Sequence, residues 1–208
     1  MRITQEVGMR ENDRSLQFKI KEMSALNLES WLIRAGRLLG REKNKEDPFF
    51  AAGVMFEEGP LRLYLRDTAE NNGKLMEEIL ACCSVVDESG WPTQLSRNNI
   101  DNFIEDMATL VNLRQEALIL NLRFYPDGAR EHLELPREWS FRKALEAVTF
   151  ARPANVPGIT GSILSQGMTS LREMQDYYSF MDALDMLEVL NVRNYNQWAA
   201  REAARHGR

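Results

Sequence analysis

The chain has 208 residues, with 26 Lys and Arg against 31 Asp and Glu, a formal net charge of −5, 44% apolar and 27% charged residues. Such a chain can bury a core without disulfides or metals, and its composition excludes wholesale disorder. The mild acidity argues against a dedicated nucleic-acid binder.

The polar N-terminus MRITQEVGMRENDRS lacks the apolar stretch of a signal peptide. No apolar run approaches the roughly 20 residues a spanning helix needs. The expectation is a soluble intracellular protein without a membrane anchor. Residues 1–14 read as a flexible arm. Leu16, Phe18 and Ile20 then alternate with Gln17, Lys19 and Lys21, the period of a half-buried strand.

Ser24 is expected to cap a helix, followed by an apolar stripe of Ala25, Leu28, Trp31, Leu32, Ala35, Leu38 and Leu39. Glu29, Arg34 and Arg37 fall off that stripe. Asp47-Pro48 opens a second helix, mostly buried through Phe49, Phe50, Val54, Met55 and Phe56. Gly59-Pro60 interrupts it, and a helix is favoured for 61–69. After the Asn71-Asn72-Gly73 turn, the spacing predicts a helix over 74–86. Asp87 to Ser96 reads as a loop.

The longest helix is expected from Asn98 or Asn99 to Arg123, with Met107, Leu110 and Val111 on its inner stripe. Tyr125-Pro126-Asp127-Gly128 signals a turn, so a hairpin near 123–135 is expected, then a helix over 141–151. Residues 152–168, rich in Pro, Gly and Ser, read as a linker. Beyond it, Ser170 and Glu173 form a capping box for an acidic helix with Met174, Tyr177, Met181, Leu184, Leu187 and Leu190 on one stripe. The fold class is therefore mainly α with a minor β element: a helical body over 15–151, and a C-terminal amphipathic helical module over 169–208.

Catalytic chemistry finds little purchase. The phosphate-loop, dinucleotide, zinc-protease and nucleophile-elbow motifs are absent from the sequence. Cys82 and Cys83 are adjacent, too close for the spaced pairs of a zinc site, and read as core filler. His132 and His206 neighbour no recognisable nucleophile motif. Neighbouring carboxylates such as Glu77-Glu78 point about 100° apart on a helix and do not converge. Asp182 and Asp185 share a face but lack a third ligand. No catalytic residue, metal ligand or cofactor is assigned. The candidate site is the C-terminal stripe, with Met174, Tyr177, Tyr178, Met181, Leu184 and Leu187 as partner contacts. Flexible Met-bearing surfaces suit apolar partners of varying sequence. Docking of this helix on the body is the competing reading.

Four segments carry a resemblance. QFKIKEMSALNLESWLIRAGRLL, with Met23, Ser24, Ala25, Glu29, Trp31, Arg34 and Ala35, resembles the start of a family of bacteriophage tail assembly chaperones. KLMEEILACCSVV and NIDNFIEDMATLVNLRQEALILNLRF are similar to later helices of that family. Where the second pattern has His, this chain has Asn121, so no role of that His carries over. The stretch GITGSILSQGMTSLREMQDYYSFMDALDMLEVLNVRNYNQWAAREA resembles a C-terminal module of the same chaperones, found separately or as a frameshift extension. The matches span about 15–125 and 158–202 and consist mostly of helix patterning.

The resemblance implies a non-enzymatic protein of viral morphogenesis that binds the tape measure protein in the host cytoplasm and is absent from the finished virion. The tail tube protein and further copies of the chain are additional candidate partners. The alternative is an adaptor that binds a protein or nucleic acid through the C-terminal helix and its basic tail, Arg193, Arg201, Arg205 and Arg208. A hydrolase or transferase with an unrecognised carboxylate site is the third reading.

Overall fold

A computed structural model describes residues 1–40, 47–86, 90–126, 133 and 155–206. The chain opens with a hairpin, β1 (Thr4–Glu11) and β2 (Arg14–Lys21), joined by Asn12-Asp13. The expected arm over 1–14 is thus largely a strand. Only Val7 and Met9 supply apolar alternation in β1, too weak a signal to stand out in sequence. β3 (Cys83–Val86) and β4 (Pro92–Gln94) complete an antiparallel sheet of order β1-β2-β3-β4. The inner face carries Leu16, Phe18, Ile20, Cys83 and Val85.

Between β2 and β3 lie α1 (Ala25–Leu39), α2 (Pro48–Glu58), α3 (Leu61–Asn71) and α4 (Lys74–Leu80). α1 is the central helix. Its stripe of Ala25, Leu28, Trp31, Leu32 and Ala35 is fully buried, and the Trp31 indole donates to the Leu75 carbonyl at 3.0 Å. Asp47 caps α2 as expected, accepting from Phe49 N at 2.9 Å. The inward side chains of α2 are Ala51, Ala52 and Met55, while Phe49 and Phe56 stand at the surface.

The predicted helix over 74–86 stops at Leu80, and Cys83–Val86 pairs with β2 instead. Val85-Val86 is β-branched, and the open edge of β2 supplies the ladder that decides the matter. Likewise, the 87–96 loop contains β4.

The helix expected from 98 divides into a single 3₁₀ turn, Ile100–Asn102, and α5 (Met107–Asn121). Asp106 caps α5, accepting from Ala108 N at 3.1 Å. Met107 and Val111 consequently face outward rather than into the core. Residues 122–126 form turns. The rest of the expected hairpin, the 141–151 helix and His132 lie outside the described residues.

The largest correction concerns 152–168. Where composition suggests a linker, α6 (Gly158–Ser165) buries Ile163 completely. α7 (Leu171–Asp176) and α8 (Phe180–His206) follow, α8 being the longest helix among the described residues. Ile163, Met174, Phe180, Ala183 and Leu184 join the same core cluster as α1 and the sheet. Phe180 meets Phe124 edge-on, with ring centroids 4.9 Å apart.

Asp67 shows how polar groups enter this core. It is fully buried, and its carboxylate accepts from Leu75 N at 3.2 Å and Met76 N at 2.9 Å, closing the first turn of α4 from the end of α3. Replacing Asp67 with Ala leaves both donors without their acceptor. The expected loss is about 1–3 kcal/mol, read as a lower urea midpoint; an unchanged midpoint would show that α4 does not need this cap.

Candidate partner-binding surface

The C-terminal segment is seated on α1 by two polar contacts. The first uses Glu29, which the stripe analysis left on the outside of α1 but which is 1% exposed. Its carboxylate accepts from Ile159 N at 2.7 Å and Thr160 N at 2.9 Å, the first turn of α6. Pro157, the residue before that helix, offers no side-chain cap, so Glu29 replaces it from across the core. Gly158-Ile159-Thr160-Gly161 is thus a helix start held by a carboxylate, not a linker.

The second contact runs the other way. Ser24 precedes α1 as expected, yet its side chain makes no cap and its hydroxyl is buried without a partner. The Tyr178 carbonyl accepts from Ala25 N at 2.8 Å instead, so the turn between α7 and α8 covers the start of α1. That turn is made by Ser179 and Asp182, which form a second reciprocal cap: Ser179 N donates to Asp182 at 2.8 Å and Asp182 N to the Ser179 hydroxyl at 3.2 Å. This cap divides the expected single helix in two. The Ser170–Glu173 capping box is present as expected. Asp182 therefore caps a helix and also pairs with the N-terminal ammonium of Met1.

The six candidate contacts consequently do not share one open stripe. Met174 and Leu184 are buried in the core. Tyr178, Met181 and Leu187 are half-buried against it, and Tyr177 is 52% exposed. The inward face of α8 runs through Phe180, Ala183, Leu184 and Leu190. The basic tail is partly engaged: Arg193 donates to Gln166 at 2.5 Å and Arg205 pairs with Glu202 at 2.8 Å.

Other apolar side chains stand out. Leu61 and Leu65, one turn apart on α3, are 65% and 59% exposed, and Phe56 on the preceding helix is 53% exposed. The sequence pattern places Phe56 inward and favours the helix over 61–69 that is observed, without assigning Leu61 and Leu65 to a face.

A polar cleft of about 740 Å³ lies among Arg2, Lys21, Ser30, Arg34, Glu78 and Cys82. Three of its charged side chains are already engaged. Arg34 grips Glu78 through two bonds of 2.6 and 2.5 Å, and Arg2 donates to the Glu22 carbonyl at 2.6 Å. Burial pushes the Cys82 thiol up to about 11 and Cys83 to about 12, which keeps both protonated and weakly nucleophilic at neutral pH. Among the described residues, no group of three or more His, Cys, Asp or Glu side chains could hold a metal ion. No helix among them is long and apolar enough to cross a membrane.

Asn121, which stands where the chaperone pattern has His, is buried. It accepts from Met23 N at 2.8 Å and donates to the Ala117 carbonyl at 2.7 Å, fixing the junction of β2 and α1 to α5. No family model matches the chain, and neither a curated protein nor a solved structure shows significant similarity to it.

Burial raises the Glu29 carboxyl above its ordinary value, and the two backbone donors only partly offset that cost. The folded chain therefore holds the Glu29 proton more tightly than the unfolded chain. Its contribution to stability is largest below the unfolded pKa and falls as pH rises through the folded pKa. Glu29→Gln should flatten the urea-derived stability profile in that weakly acidic window. A profile superimposable on wild type would remove Glu29 as the titrating group.

Proposed function

We propose that this protein is a tail assembly chaperone that binds the tape measure protein without catalysing a reaction. The observation that carries the reading is the exposed apolar set at the α2–α3 hairpin, Phe56, Leu61 and Leu65. Apolar side chains one helical turn apart offer a ridge for an apolar helix of another protein. The resemblance of 15–125 and 158–202 to the chaperone family names that partner as the tape measure protein, whose long apolar helices invite aggregation.

The C-terminal contacts belong to the same proposal in a graded form. Tyr177, Tyr178, Met181 and Leu187 would meet a partner with α8 seated. Met174 and Leu184 would do so only after α7 and α8 leave α1. A moderate affinity per copy, multiplied along a long partner, allows later displacement by tail tube subunits.

Co-expression with a tape measure protein of the same genome tests the reading. The expected result is a larger soluble tape measure fraction, reduced by Leu61→Asp/Leu65→Asp while that variant keeps the wild-type urea midpoint. Unchanged solubility with the wild-type chaperone would refute the proposal.

A further inference from the structure

β1 is an edge strand of eight residues, far longer than β4 at the opposite edge, which has three residues and begins with Pro92. Glu11 and Arg14 close a two-residue turn, so they form a hydrogen-bonded pair, and the odd-numbered residues of β1 bond to β2. The Glu22 N to Ile3 carbonyl bond of 2.9 Å continues the same phase. The backbone groups of Thr4, Glu6, Gly8 and Arg10 therefore face away from β2. Among the described residues, no strand pairs with that edge.

An unpaired edge of this length is a template for another strand, and the sequence here says which one. Glu6-Val7-Gly8-Met9-Arg10 reads acidic, apolar, Gly, apolar, basic. Turned antiparallel about Gly8, it meets its own complement: Glu6 faces Arg10 and Val7 faces Met9, each twice. An axis at Val7 or Met9 would set Gly8 against Glu6 or Arg10 and lose both matches. The faces agree as well. Glu6 and Arg10 are exposed on the outer face, while Val7 and Met9 pack partly on the core. Gly8, on the axis, brings no side chain that two copies would have to accommodate.

We propose that β1 pairs with β1 of a second copy of this chain, antiparallel about Gly8, joining two four-stranded sheets into one. The contact is isologous and closes on itself, with the short β4 strands at the two ends of the joined sheet. Glu6, Gly8 and Arg10 exchange backbone hydrogen bonds across it, and the two Glu6–Arg10 ion pairs set the register. Glu6 already contacts Lys19 at 3.3 Å across β2, an exposed pair that leaves its second oxygen available.

Sedimentation equilibrium of the full chain, with three variants, tests this. Wild type should be a dimer at micromolar concentration. Arg10→Glu sets like charges opposite one another twice and should weaken the dimer about tenfold. Glu6→Arg/Arg10→Glu restores the complement and should recover it. Gly8→Cys places two thiols across the axis at a spacing a disulfide can span, so mild oxidation should give a covalent dimer that Asn98→Cys, on an exposed loop, does not. The new side chain would stand 3.2 Å from the flexible end of Gln17, which can move. A monomeric wild type, a dimer indifferent to Arg10→Glu, or equal cross-linking of the two cysteine variants would each overturn the proposal. Should Arg10→Glu fail to fold, the double variant and Gly8→Cys still decide it.

Discussion

Glu29 sits in the middle of α1, almost wholly buried, and its two oxygens take the first free amides of a helix 130 residues further along the chain. A carboxylate in that position is costly unless its lone pairs are used, and a helix start inside a protein is costly unless its free N–H groups are used. Each offsets part of the other's cost. The pairing also suits the helix dipole, which favours negative charge at an N-terminus. Because α6 leads directly into α7 and α8, this contact joins the Tyr178 carbonyl and the buried Ile163, Met174, Phe180 and Leu184 in seating the C-terminal segment on the core.

The same device recurs. Asp67 supplies it to α4, and Glu11, at the end of β1, accepts from Glu105 N at 2.9 Å and Asp106 N at 2.6 Å, at the start of α5. Glu22 uses its buried carboxylate on Ile3 N and on Arg123, tying the strand ends to the end of α5. Three helices therefore begin where a buried acid from another element waits for them. Apolar burial supplies the gross driving force, and these acids fix where each helix starts. The arrangement also explains why the core can hold four buried acids in a chain of only mild negative charge.

What could be read from the sequence follows from how local each determinant is. α1 and β2 are set by period and the entry to α2 by the adjacent Asp47, and they appear where patterning puts them, although the cap expected from Ser24 does not form. So does the Ser170–Glu173 box. The failures share one cause. α6 depends on Glu29, 130 positions away, and its Gly- and Ser-rich composition alone looks like a linker. Cys83–Val86 depends on the edge of β2, and the start of α1 on the Tyr178 carbonyl. The break at Ser179 was the exception, since a Ser-x-x-Asp cap is local and could have been found. The candidate contacts suffered from that omission: a single helix over 170–191 aligns Met174, Tyr177 and Leu184, whereas the break turns Met174 and Leu184 inward and leaves Tyr177 outside.

The proposed chaperone reading and the proposed β1 dimer use different surfaces, the α2–α3 ridge and the sheet edge, of a body on which the C-terminal segment is seated. Hydrogen exchange on the full chain, comparing wild type with Glu29→Ala, tests that seating most directly. The account predicts that the amides of Ile159 and Thr160, and with them those of α7 and the first half of α8, lose protection by about tenfold or more while β2 and α5 keep theirs. Unchanged protection across 158–190 would contradict it.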